Sequence, residues 1–188
     1  MKKLILKITN TLITISLGFL IITGATADSS QSSVNQVSAT PDNNTFTLYF
    51  VRHAEKANEP KTDPELTVQG HERAKNLATM LSKTALSKIY STRYQRTLQT
   101  AAVSADIKAL VVTHYDPRQL KEFADKLLQD KVSALVVGHS NTTPTLIRLI
   151  GGKAENIDES RYGDLFQLII DKSSLKVVAT NLLQIPAR

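Results

Sequence analysis

Two arginines and two histidines stand where a parallel sheet would gather them. Arg52-His53 follows the apolar run Phe46–Val51, and Gly138-His139 follows the run Ala134–Val137. Arg96 falls in the first turn of a helical segment just after the short run Lys88–Tyr90. Buried parallel strands read as short β-branched and aromatic runs. In open α/β sheets, chemistry sits just beyond the C-terminal ends of such strands. Loops leaving parallel strands emerge on one edge, so these four side chains can converge although they are distant in sequence.

Such a set suits phosphoryl transfer. A planar guanidinium binds phosphate oxygens in pairs, and two of them can stabilise the charge of the transition state. A helix N-terminus carries free N–H groups and a partial positive charge, which favours an anion beside Arg96. One neutral imidazole can attack phosphorus in line to give a phosphohistidine, while the other binds the phosphoryl oxygens. A leaving alkoxide also needs a proton. Asp116, after the third strand, is the first candidate donor and Glu55 the second; Asp116 would also serve simply as a helix cap. Lys56 suits either phosphate binding or a solvated loop. His71 and His114 read as structural or exposed. No H-x-x-x-H, H-x-H or clustered carboxylate pattern points to a metal, and no cofactor is expected.

The elements that must hold these groups alternate in type. The spacing predicts a helix capped by Thr67, with Leu66, Gly70, Ala74, Leu77, Ala78 and Leu81 on one face and Glu72, Arg73 and Lys75 off it. A helix from about Tyr94 to Ala105 should bury Leu98, Ala101, Ala102 and Ala105. Ala109–Thr113 reads as the third strand. Pro117 could open the next helix, whose stripe is Leu120, Phe123, Ala124, Leu127 and Leu128. A helix from about Thr143 to Ile150 ends at Gly151-Gly152. Leu165–Ile170 and Leu175–Ala179 form a terminal hairpin. This order predicts a single-domain three-layer α/β/α sandwich with a mostly parallel central sheet and its active site at the C-terminal strand ends.

The chain has 188 residues, with 41% hydrophobic and 21% charged content, enough for one packed domain. Lys2, Lys3 and Lys7 precede the apolar core Leu12–Ile22, and Ala25-Thr26-Ala27 follows. That is the pattern of a secretory signal peptide over 1–27, cleaved near Ala27; its apolar core is short for a membrane span. Export to a periplasm or beyond is therefore expected, with membrane attachment only if the leader is retained. Losing its three lysines lowers the formal net charge from +6 to +3. No basic stripe with interleaved aromatics suggests nucleic-acid binding. The absence of Cys excludes disulfides and thiolate chemistry. Residues 28–45, rich in Ser, Asn, Gln and Thr, read as a flexible polar linker, leaving 46–188 as the folded domain.

With these residues in view, the sequence resembles the histidine phosphatase superfamily, also called phosphoglycerate mutase-like. Its R-H-G/A-E motif appears as Arg52-His53-Ala54-Glu55. Its L-T-x-x-G-x-x-R-A helix start appears as Leu66–Ala74, and its S/T-x-x-x-R-[AT]-x-x-T-A segment as Thr92–Ala101. Its G-H motif appears as Gly138-His139-Ser140-Asn141. The resemblance implies His53 as nucleophile, with Arg52, Arg96 and His139 completing the phosphate pocket. The sequence lacks a clear match to the glutamate or His-Asp motif that supplies the proton in better-known branches. It implies a metal-independent phosphomonoesterase, here acting on an extracytoplasmic phosphorylated small molecule, glycan or glycolipid. The alternatives are a non-catalytic phosphate- or phosphoglycan-binding protein, and a phosphotransferase or mutase of the same fold. The oligomeric state is not legible.

Overall fold

The structure is a computed structural model describing residues 44–187. The expected signal peptide (1–27) and almost all of the expected linker (28–45) lie outside the described residues. The elements are β1 (Thr45–Arg52), α1 (Val68–Leu81), β2 (Lys88–Ser91), α2 (Gln95–Lys108), β3 (Val112–His114), α3 (Leu120–Asp130), β4 (Ala134–Gly138), α4 (Thr142–Leu149), β5 (Asp164–Asp171) and β6 (Val177–Gln184). The six strands form one sheet in the order β3-β2-β4-β1-β5-β6. The first four are mutually parallel; β5 runs antiparallel to β1, and β6 antiparallel to β5. The mostly parallel α/β sheet expected from the sequence is therefore present, with the terminal hairpin as its antiparallel flank.

The two faces of β1 show how the layers form. Side chains alternate across a strand. Phe46, Leu48 and Phe50 point into a cluster containing Phe123 and Leu127 of α3 and Leu146 and Ile147 of α4. Tyr49 and Val51 point into the opposite cluster, with Leu77 and Leu81 of α1 and Ala101 and Ala105 of α2. Leu48 and Phe50 are fully buried, each contributing about 1.5–3 kcal/mol relative to exposure. A strand apolar on both faces must lie between two helical layers, as β1 does.

Four local expectations are corrected. The apolar run Ala109–Thr113 is not all strand: α2 continues to Lys108, and Ala109 ends it at φ 52°. Leu110 N–H donates back to Ala105 O, and Val111 is 85% exposed, so β3 begins only at Val112. On α2, Ala102 is exposed and Leu98 only half-buried, whereas Thr97, Thr100 and Ser104 are buried. The Thr97 and Thr100 hydroxyls enter that face because they donate to Tyr94 O and Arg96 O within their own helix. Pro117 does not open α3, whose N-cap is Gln119. The last strand is also shifted, running Val177–Gln184 because Leu175 turns at φ 57°, while two expected features hold: Thr67 Oγ1 accepts Gly70 N–H to cap α1, and Gly151 at φ 96° lets the chain leave α4, with Gly152 N–H donating to Ile147 O.

Candidate active site

Strand register brings the two histidines together. Arg52 pairs with Gly138 across β1 and β4, so the next residue of each strand leaves the same edge side by side. His53 N–H donates to Gly138 O (2.9 Å), and the two imidazole rings lie edge to face with centroids 5.6 Å apart. On the other side of β4, Ser91 pairs with Val137. Thr92 therefore emerges beside the His139 loop, and its Oγ1 lies 3.0 Å from His139 Nε2. Arg96 stands at the second position of α2, directly after this turn.

The hydrogen bond at His53 sets its chemistry. Nδ1 lies 2.8 Å from Ala54 O, which can only accept, so Nδ1 carries the proton. Nε2 is left with its lone pair. Burial pushes the His53 pKa down to about 3; the Ala54 hydrogen bond opposes this, and the charges of Arg52, His139 and Arg96 add to it. His139 falls to about 4, again chiefly through burial, with Arg96 and Arg52 contributing and Glu159 opposing. Both rings are neutral at ordinary pH, and both feel both arginines.

The arginines are prepared for an anion. Arg52 is buried, and its Nη1 donates to the carbonyls of Asp158, Glu159 and Arg161. Its Nη2 meets Glu159 Oε2 at 2.7 Å, and the Tyr162 ring lies 4.3 Å from its guanidinium carbon. Arg96 stacks on Tyr94 at 4.5 Å and faces Asp63 at 3.7 Å. The Nε atoms of both arginines are buried without a hydrogen-bond partner among the described residues. A buried donor without an acceptor is costly. Phosphoryl oxygens are acceptors of the right charge for both. Tyr94 and Tyr162 wall the cage, 5.2 Å from the His139 ring and 6.2 Å from the His53 ring.

A brace behind the cage holds the His53 loop. Gly70 lies so close to Glu55 O that any Cβ there would collide with it. Thr67 N–H donates to Glu55 O, and Ala54 N–H donates to Thr100 Oγ1. Arg73 Nε donates to both Glu55 carboxylate oxygens at 2.9 and 3.0 Å, and Arg73 Nη1 donates to Ile185 O. Arg73, expected off the buried face of α1, is thus largely buried in an ion pair.

The structure brings together Arg52, His53, Arg96 and His139 and diverts the two carboxyls expected as proton donors. Glu55 is committed to Arg73. Asp116 accepts Arg118 N–H and the Arg118 guanidinium; those hydrogen bonds hold its pKa near 2, and α3 is capped elsewhere. Lys56 makes a main-chain bridge to Leu66, and His71 and His114 are exposed. Tyr94, Tyr162, Thr92, Asp63 and Glu159 were missed. Thr92 and Tyr94 lie within four residues of Arg96 but carry no charge to mark them. Tyr162 and Glu159 lie in a loop without periodicity, placed only by tertiary packing. A cleft of about 630 Å³ adjoins the cage at Tyr94 and includes Asp63, Arg93, His114 and Arg118. A larger one, about 850 Å³, lies against β5 and β6 and contains none of the four cage residues.

Known proteins share this fold. The family model described as histidine phosphatase superfamily (branch 1) matches residues 48–124. The fold is similar to that of the protein histidine phosphatase SixA, solved with tungstate: TM-score 0.59, 17% identity, covering 76% of this chain and 97% of that one. The alpha-ribazole phosphatase from Shigella flexneri matches with TM-score 0.58 and 17% identity, over 74% and 96% of the two chains. A mycobacterial glucosyl-3-phosphoglycerate phosphatase matches with TM-score 0.54 and 14% identity, over 74% and 98%. No curated protein is significantly similar in sequence. The sequence motifs, the match of residues 48–124 to the histidine phosphatase superfamily model and the shared fold point the same way.

Proposed function

We propose that the protein is an exported, metal-independent phosphomonoester hydrolase that works through a phosphohistidine at His53. The observation that carries this reading is the Nδ1–Ala54 hydrogen bond, which fixes the tautomer and leaves Nε2 unprotonated beside two arginines with unpartnered Nε donors. Nε2 attacks phosphorus; Arg52, Arg96 and His139 hold the non-bridging oxygens; water then cleaves the P–N bond and returns the lone pair to Nε2. The leader sequence supports an extracytoplasmic substrate, a phosphorylated small molecule, glycan or glycolipid.

The test is turnover of 4-nitrophenyl phosphate with chelator present, with acid and base quenches of labelled enzyme. The expected result is chelator-resistant turnover with an acid-labile, base-stable phosphoenzyme that is absent in His53→Ala. Acid-stable label, or full activity in His53→Ala, overturns the reading. Phosphate binding without turnover would instead make the protein a phosphate-binding module. Transfer to an added alcohol in place of release would make it a phosphotransferase.

A further inference from the structure

The cage has a nucleophile and clamps, but both carboxyls expected as proton donors are tied up elsewhere. A third carboxylate stands at its mouth. Glu159 lies in the segment between α4 and β5 and bridges two sides of the site: Oε2 accepts from Arg52 Nη2 at 2.7 Å, and Oε1 accepts from the hydroxyl of Ser140, the residue after His139. Its side chain is 76% exposed, so it has water on one side and the cage on the other. Its charge is felt at the His139 ring, where it opposes the arginines. The backbone under it is fixed, because Arg52 Nη1 takes the carbonyls of Asp158, Glu159 and Arg161. Three main-chain anchors on the clamping arginine itself place this carboxylate with little freedom to wander.

Resting on the phosphatase reading above, we propose that Glu159 is the catalytic acid and base of the reaction, delivering a proton to the leaving-group oxygen and then taking one from the hydrolytic water. In the free enzyme Arg52 holds the Glu159 carboxylate in an ion pair. A phosphoryl dianion arriving at Arg52 competes for that guanidinium and puts negative charge beside Glu159. The carboxyl is thereby released to face the leaving group, and its exposure lets it exchange protons with solvent. In the first step the His53 Nε2–P bond forms and the P–O bond breaks. The departing oxygen keeps the bonding pair and takes the Glu159 proton. In the second step the ionised Glu159 accepts a proton from water as its oxygen bonds phosphorus; the P–N bond breaks and its pair returns to Nε2. Ser140 is then a positioning residue that holds the carboxylate over the mouth.

Leaving-group dependence tests this. Glu159→Gln is nearly isosteric at an exposed position. Phosphoenzyme formation is measured by rapid quench with 4-nitrophenyl phosphate, whose leaving group departs without a proton, and with glycerol phosphate, whose alkoxide needs one. In Glu159→Gln the aryl rate should stay within about threefold of wild type and the glycerol phosphate rate should fall by about 100-fold or more. Phosphoenzyme formed from the aryl ester should accumulate, because the second step has lost its base. Equal losses with both substrates, or an unchanged glycerol phosphate rate, overturn the role of Glu159 while leaving the phosphatase reading intact. Failure of the wild-type enzyme to form phosphoenzyme from either substrate overturns both.

Discussion

The Glu55–Arg73 pair offers a sharp division between a support and a reactant. Arg73 Nε contacts both carboxylate oxygens of Glu55, Nη2 bonds one of them again, and the two side chains are only 13% and 12% exposed. Removing one partner of a fully buried pair costs about 3–5 kcal/mol, because the other is left charged without compensation. Water reaches about an eighth of each side chain here, so Arg73→Met should cost about 2–3 kcal/mol. For a domain of this size that is a fall in Tm of about 6–12 °C. The double variant Glu55→Gln/Arg73→Met removes both charges and should regain about half of the loss. The pH dependence has a definite sign. Burial pushes the Glu55 carboxyl up, but the Arg73 hydrogen bonds outweigh it and hold the pKa below its ordinary value. Without Arg73 the upward push of burial is opposed only by the Glu55 backbone N–H and the Arg52 charge, so Glu55 takes up a proton more readily as the pH falls, and the deficit of Arg73→Met should shrink between pH 8 and pH 5. Urea denaturation of wild type, both single variants and the double at the two pH values measures all of this. If the double is no more stable than Arg73→Met, and the deficit is the same at both pH values, the ion-pair account is refuted. Activity supplies the other half: Glu55→Gln assayed well below its Tm should keep kcat within tenfold of wild type, whereas loss of a proton donor would cost 10²–10⁴.

Other variants probe the remaining supports. Thr92→Val removes the hydroxyl 3.0 Å from His139 Nε2, and kcat/KM should fall about tenfold with little change in Tm, an effect of just over 1 kcal/mol. Gly70→Ala drives a methyl into Glu55 O; a loss of about 3 kcal/mol is expected by urea titration, the upper end for overpacking, since a backbone atom cannot swing away. His53 and His139, held down at about 3 and about 4, bind protons more weakly folded than unfolded. Stability should therefore be full above about pH 6.5 and fall as pH drops toward 4, each ring contributing about 1.4 kcal/mol per pH unit. His53→Ala should flatten that slope by one ring's share.

The strands and helices that carry the cage were legible because their burial is two-sided or strictly periodic. Phe46–Val51 is apolar on both faces apart from Thr47, and Leu77, Ala78 and Leu81 keep helical spacing. The same logic failed at Ala109–Val111, where an apolar run is spent on a helix end and a connector, and at Ala102, where small size does not decide which way a residue faces. Arg52, His53, Arg96 and His139 could be found because each directly follows a strand or opens a helix. Glu159 and Tyr162 could not, since their place depends on Arg52 drawing three carbonyls of a nonperiodic loop toward it. Asp116 was misread because an Asp after a strand looks alike whether its partner is a helix end, a substrate or Arg118.

The position of β1 has a consequence for how the molecule is made. It is the earliest described strand, yet Phe50 pairs with Val136 on one side and Phe166 on the other, 86 and 116 residues later in the chain. A strand buried on both faces must therefore wait, apolar and unpaired, until most of the chain exists. Pairing of such high contact order is slow and exposes aggregation-prone surface in the interval. Arg73 sharpens the point: its acceptor at Ile185 lies 112 residues further along, so the His53 loop gains this brace only after β6 has been made.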